Sequence, residues 1–279
     1  MINLKDLSND RVLHIKKGCQ DFLQFRRLLE YSDLITHCYS VGVDKNYRTF
    51  KANKTPLPKD EYLKNVDNYR TLCEVNSLDY INVVKTGQAH TDNVRVINEK
   101  INKDKPDFEY NNRTDGLITN KKDIILTTTN ADCILLLFFD PIKKVIANIH
   151  SGWKGTLQEI SVKTVDKMEQ EYGSNPRDII VCICPSIRKC HFEVGKDVYE
   201  LFYNQFKKLG NTDRFIIEKN DKWYIDTVLI NKIILMQAGI LEKNIEDSEI
   251  CSICNKNQIH SFRAEGENYG LATAMITLK

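Results

Sequence analysis

The sequence predicts a mixed α/β or α+β fold, and three observations carry that reading. Short runs rich in β-branched or aromatic residues, bounded by Gly, Pro, Asn or Asp, dominate the first two thirds of the chain. A few amphipathic stretches with clean stops are interspersed with them. Neither G-x-G-x-x-G nor G-x-x-x-x-G-K-[ST] occurs, which argues against a doubly wound nucleotide-binding fold.

The strand-like runs lie at 80–86, 93–97, 123–129, 134–139, 144–150 and 178–183. The first helix is expected over 156–172, where Leu157, Ile160, Val165, Met168 and Tyr172 fall near one face and Gly173 stands at the C-cap. The second, over 195–209, carries Val198, Leu201, Phe202 and Phe206 as an apolar stripe and stops at Gly210. The third runs over 226–238, with Asp226 as N-cap and Gly239 as the stop. The polar segments 48–59 and 98–112 read as surface loops.

At 279 residues the chain can bury a substantial core, as one large domain or two small ones, and no repeat or linker marks a boundary. Its 40 basic and 38 acidic residues leave a formal charge of +2, which offers no whole-protein field for nucleic acid or an anionic membrane. No N-terminal segment resembles a signal peptide, and the longest apolar run, 134–139, is far too short to span a bilayer. A soluble, cytoplasmic protein is expected. Nine cysteines in such a chain read as thiols in a reducing compartment, each to be judged as core filler, ligand or nucleophile.

Chemistry concentrates between 130 and 156. Two strands flank Asp140-Pro141-Ile142-Lys143, a turn sequence. If Asp140 pairs with Lys143, Cys133 falls opposite His150, and a loop one residue longer moves the pairing to Ser151. Either register sets a thiol beside an imidazole at the open end of a buried hairpin. The following Ser-Gly-Trp-Lys-Gly-Thr brings Gly152, Gly155 and Lys154 to the start of a helix, where an anion would find N–H groups and a cation. The plainer reading is a strand-to-helix turn with a solvated lysine. His90 closes a strand, a place where histidines are more often structural. Joined to Cys133 and His150, however, it completes a three-ligand zinc or copper set with a fourth position open. A competing cluster, Cys251-x-x-Cys254 followed by His260, has knuckle spacing but only three of the four ligands a closed site needs. Of Cys182, Cys184 and Cys190, the first reads as core packing.

In order along the chain stand Gln88-Ala-His90, Thr114-Asp-Gly-Leu-Ile-Thr119, Thr129-Asn-Ala-Asp-Cys133, His150-Ser-Gly-Trp-Lys-Gly-Thr156, Pro185-Ser-Ile187, Cys190-His-Phe-Glu-Val194 and Ser261-Phe-Arg263. Together these motifs resemble the YfiH-like family over roughly residues 30–279. The family was long described as multicopper polyphenol oxidases or laccases and is now associated with purine nucleoside phosphorylase and adenosine deaminase activity. The resemblance implies one catalytic domain over 1–279, a mixed β-sandwich flanked by helices. It also implies a metal held by His90, Cys133 and His150, and Arg263 near the pocket. The chain departs from the pattern at Thr91 and Ala264, and at His37-Cys-Tyr-Ser40, where an expected arginine is missing.

The leading expectation is therefore a metal-dependent purine nucleoside phosphorylase that also deaminates adenosine, acting on small-molecule nucleosides and inorganic phosphate as a monomer or homodimer. Lys154 and Arg263 are the expected anion holders, and Asp132 beside the ligand Cys133 an orienting or acid/base group. The alternatives are a metal-free cysteine hydrolase with Cys133 as nucleophile and His150 as base, a laccase, and a binding module on Cys251, Cys254 and His260. Six histidines are too few for a blue-copper centre plus a copper cluster.

Overall fold

The computed structural model describes residues 5–51, 55–99, 102, 104–108 and 113–279, so the expected loops 48–59 and 98–112 lie in part outside the described residues. The chain opens with strands β1 (Val12–Lys17) and β2 (Gln20–Phe25), a short helix α1 (Arg26–Leu29) and β3 (Ile35–Val41). Helix α2 (Lys59–Val75) precedes β4 (Val83–Lys85), β5 (Val94–Val96), β6 (Gly116–Thr119) and β7 (Ile125–Asn130). The hairpin β8 (Ile134–Asp140) and β9 (Val145–Ser151) leads into α3 (Trp153–Leu157), α4 (Ile160–Tyr172) and β10 (Ile180–Ile183). Then come β11 (Glu193–Val194), α5 (Lys196–Phe206), β12 (Ile216–Lys219), β13 (Lys222–Ile225), α6 (Thr227–Gln237), β14 (Ile245–Asp247), α7 (Phe262–Glu265) and β15 (Ala272–Leu278).

The fold is mixed α/β, built on two six-stranded sheets. One runs β1-β2-β3-β15-β7-β4, the other β14-β10-β8-β9-β6-β5, and β11-β13-β12 forms a small third sheet. Side-chain alternation on β8 shows how they stack. Leu135, Leu137 and Phe139 pack with Leu23, Tyr39, Leu126 and Ala274 of the facing sheet. Ile134, Leu136 and Phe138 pack with Ile160, Val165, Met168, Val228 and Leu235 of the helices behind. A strand buried on both faces must be apolar at successive positions, which is why 134–139 has no polar member. On the far side of the first sheet, α2 lays Val66, Tyr69, Leu72 and Cys73 on Phe22, Cys38, Ile125 and Met275.

Two expectations are corrected. The β8–β9 loop holds four residues, because Asp140 pairs with Val145 and Leu135, not Cys133, stands opposite His150. Asp140 Oδ1 accepts from the Ile142 and Lys143 amides (2.8 and 3.0 Å), and Lys144 takes the left-handed backbone (φ 54°) that closes this wider turn. Since side chains alternate with period two, a register moved by two residues keeps Cys133 and His150 on one face as diagonal neighbours. The helix expected over 156–172 is broken at Glu159 (φ 56°), which separates α3 from α4. A buried network makes the break useful. Ser161 donates to Asn231 Oδ1, whose amide donates to Thr156, which in turn meets Ser151. Helix α6 is capped as expected, Asp226 accepting from the Leu229 amide at 2.9 Å.

Candidate active site and metal centre

Four segments meet at one end of the two sheets. Cys133 precedes β8, His150 ends β9, His90 lies in the loop after β4, and Asp115 precedes β6. The loop carrying His90 is pinned by Gln88, whose amide bridges the main chain of Thr129 (2.7 and 2.8 Å) at the end of β7. The left-handed backbone of His90 (φ 58°) then turns its ring to Cys133, with Nε2 to Sγ at 4.0 Å. The His90 and His150 rings meet edge to face at 4.9 Å. One donor atom from each of the three residues lies within 4.8 Å of the others. Gly152 fits between them: a Cβ there would stand 2.8 Å from His90 Cδ2, 3.2 Å from Cys133 Sγ and 3.5 Å from His150 Cε1. The wall is thus kept bare where the three side chains converge.

Asp115 has no exposed surface, and its carboxylate accepts from the amides of Ala89, His90 and Thr91, the Thr91 hydroxyl and His150 Nδ1 (2.9 Å). Burial would raise its pKa, yet the His150 and Thr91 contacts hold it at about 2. The same carboxylate fixes the tautomer of His150 and leaves the other ring nitrogen to Cys133. Burial likewise opposes both partners of that pair. The charge of His150 overcomes it and draws the Cys133 thiol down to about 6, while the Cys133 and Asp115 charges lift His150 to about 9. One thiolate and two imidazoles are a donor set that zinc or copper accepts, and the Asp115–His150 contact is the usual support for a metal-binding imidazole. These residues fit a metal ion.

The trio forms part of the wall of a cavity of about 1160 Å³. Its lining also includes Arg48, Arg113, Arg263, Phe192, Phe262 and Tyr269. Arg263 reaches it from α7, its guanidinium donating to the carbonyls of His191 (3.4 Å) and Glu193 (3.1 Å). Asp132 (φ 84°) is in the lining, with its carboxylate accepting from Ser252 Oγ and from the Arg263 amide. It therefore braces the cavity wall. Lys154 does not reach the lining: it is exposed, with its ammonium 5.3 Å over the Trp153 ring. The helix that begins beside it, α3, has only five residues. His260 lies apart from Cys251 and Cys254, held by Lys45 O and Glu265. Those two cysteines instead meet Cys190 and His191.

Sequence reasoning assigned no role to Asp115 or Arg48. Asp115 was visible only as a motif member, since nothing local announces that its partners come from 89–91 and 150. Arg48 sits in a segment read as a surface loop, yet it is 8% exposed, with its guanidinium stacked 4.1 Å over Tyr269 and donating to Tyr269 O.

A layered sheet assembly with a Cys/His/His cluster braced by an aspartate defines the class. Residues 40–279 match the family described as multi-copper polyphenol oxidoreductase laccase, and the chain belongs to that family. It is 32% identical over 255 residues to a purine nucleoside phosphorylase of Bacteroides thetaiotaomicron, covering 89% of this chain and 93% of the relative. To the human purine nucleoside phosphorylase LACC1 it is 28% identical over 84% of its own length. The chain spans about half or less of the mammalian relatives it matches, 51% of the human protein and 38% of the mouse one. It is 30% identical over 217 residues to adenosine deaminase RL5 of an unknown prokaryote, covering 76% of this chain and 80% of that protein. The crystal structure of Bacillus licheniformis hypothetical protein YfiH superposes with a TM-score of 0.82 at 23% identity, covering 95% of this chain and 99% of that one. Among the described residues no helix is long and apolar enough to cross a membrane.

Proposed function

We propose that this chain cleaves purine nucleosides with inorganic phosphate, yielding the free base and ribose 1-phosphate, and also deaminates adenosine. The observation that carries the reading is the Asp115-braced trio His90, Cys133 and His150 in the wall of a cavity that also presents arginines and aromatic rings. The names of the family relatives supply the substrate class. We take residues 1–279 as one catalytic unit, since the cavity draws its lining from Arg48 through to Leu271.

In phosphorolysis the C1′–N9 bond breaks as a phosphate oxygen bonds C1′, through a transition state with positive charge on the ribose. An anion held close by stabilises that charge and attacks. Arg48 and Arg263 are the cavity cations we assign to it. Phe262 and Tyr269, edge to face at 5.0 Å, offer apolar surface to a planar base. The departing base needs a proton, and deamination at C6 needs a group that takes one proton and gives one. The Cys133–His150 pair has that capacity, oriented by Asp115. A zinc or copper ion on His90, Cys133 and His150 would supply a Lewis acid beside the reacting atoms.

One observation favours a second reading. The Cys133–His150–Asp115 line has the order of a thiol nucleophile, its base and an orienting carboxylate. It leaves His90 without a task, since a thiol nucleophile needs one imidazole. Product analysis separates the two: adenosine with and without phosphate should yield adenine and ribose 1-phosphate only when phosphate is present. Adenine formed equally fast without phosphate, alongside free ribose, would make the protein a hydrolase.

A further inference from the structure

The nine cysteines sort by surroundings. Cys38, Cys73, Cys182 and Cys184 lie in hydrophobic clusters, Cys133 belongs to the site above, and Cys19 is exposed. The remaining three, Cys190, Cys251 and Cys254, converge with His191 from two loops distant in sequence. Cys190 and Cys254 are exposed, so burial of apolar surface does not account for this gathering.

We propose that Cys190, His191, Cys251 and Cys254 are a second metal site, a closed tetrahedron that takes Zn²⁺ and ties together two loops behind the cavity wall. With Zn–S near 2.3 Å and Zn–N near 2.0–2.1 Å, tetrahedral geometry sets sulfurs about 3.8 Å apart and sulfur to nitrogen about 3.6 Å. Cys190 Sγ stands 3.6 Å from Cys251 Sγ and 4.0 Å from Cys254 Sγ. His191 Nδ1 lies 3.1, 3.6 and 3.7 Å from the sulfurs of Cys190, Cys251 and Cys254. Five of the six donor–donor edges therefore lie within about 0.5 Å of those of a zinc tetrahedron, and the sixth, between Cys251 and Cys254, is within 4.8 Å. The soft thiolate majority selects zinc over hard cations.

The surroundings suit a bound cation. The main-chain amides of Cys254, Arg188 and Ile253 point at the Cys251 sulfur. On binding the dication the three thiols release their protons to solvent.

The two loops are already joined by main-chain contacts, Ser186 N to Ile250 O and Ser252 N to Ser186 O. Arg263 donates to the carbonyls of His191 and Glu193, while Ser252 donates to Asp132, which holds the Arg263 amide. The ion would thus act as a positioning element for Arg263 and the adjoining wall.

The test reads metal content, so it is separate from the proposed activity. Full-length protein, reduced and reconstituted with zinc, should hold one equivalent for each cluster. Cys190→Ser and Cys254→Ser should each lose one equivalent and keep the one that Cys133→Ser removes. Because a variant can fail to fold, the wild-type chain supplies the second measurement: zinc should protect Cys190, Cys251 and Cys254 from iodoacetamide, mapped by mass spectrometry, while exposed Cys19 is modified in the same sample. A Cys190→Ser/Cys254→Ser double variant holding as much zinc as wild type would overturn the site. So would alkylation of Cys190 and Cys254 at the rate of Cys19 in zinc-saturated protein.

Discussion

Gly152→Ala isolates the geometry of the first site from the stability of the fold. The Gly152 backbone, at φ −65° and ψ 175°, is extended and open to alanine without strain. Loss of glycine freedom in the unfolded chain would by itself favour the variant by about 0.4–1 kcal/mol. The cost falls on the trio. The new methyl would stand 2.8 Å from His90 Cδ2, closer than real Cβ contacts come, and 3.2 Å from Cys133 Sγ. His150 is buried and fixed by Asp115, whereas His90 sits exposed on a loop, so His90 gives way. Losing alignment of one ligand should weaken zinc about ten- to a hundredfold, at least the effect of losing a supporting contact around a metal ligand. Competition against a chromophoric chelator measures the affinity, and thermal unfolding of the metal-free protein should match wild type. Undiminished zinc affinity in a folded Gly152→Ala protein would mean that these three side chains do not hold the ion.

Asp115→Asn should destabilise the protein by about 3–5 kcal/mol in denaturant unfolding, because a buried ion pair loses one partner. The Asp115 pKa is depressed to about 2, so its contribution is complete above the ordinary value of 3.8 and is lost as pH falls through about 2; a loss under about 1 kcal/mol at neutral pH would contradict the bracing role. In chelator-treated protein, alkylation of Cys133 should accelerate as pH rises through about 6, and His150→Ala should move that inflection up toward the ordinary 9.0; an unmoved inflection would remove His150 as its cause. Arg48→Ala should raise the phosphate KM roughly ten- to a hundredfold with a smaller effect on adenosine, as for a lost charge-assisted contact. Lys154→Ala, outside the cavity lining, should leave it near wild type, and the reverse pattern in steady-state kinetics would return the anion to the start of α3.

What was legible in the sequence came from local chemistry. The run 134–139 and its flanking turn announced a buried hairpin, and Asp226 announced the start of α6, because periodicity and caps act within a few residues. Helix α2 escaped notice because its buried face includes Asn65 and Asn68, which donate to the carbonyls of Arg48 and Asn46 and blur the apolar stripe. The strands β1, β2, β3 and β15 went unread as well. Their pairing joins the first and last parts of the chain, which no window of neighbouring residues displays.

By itself the sequence determined the hairpin that brings Cys133 and His150 to one end, and the observed register, moved by two residues from the simplest one, keeps them on one face. The residues also pointed to His90 as a third ligand, and the family resemblance added the expected chemistry. Only the tertiary structure decided which distant groups complete each cluster. It brought Asp115 under His150, put Arg48 in the cavity wall and left Lys154 outside it. It also replaced His260 with Cys190 and His191 beside Cys251 and Cys254. Each of these is a meeting of loops from different strands. Metal ligands and charge pairs need convergence to within a few ångströms, and sequence spacing constrains that distance only when the residues share one element.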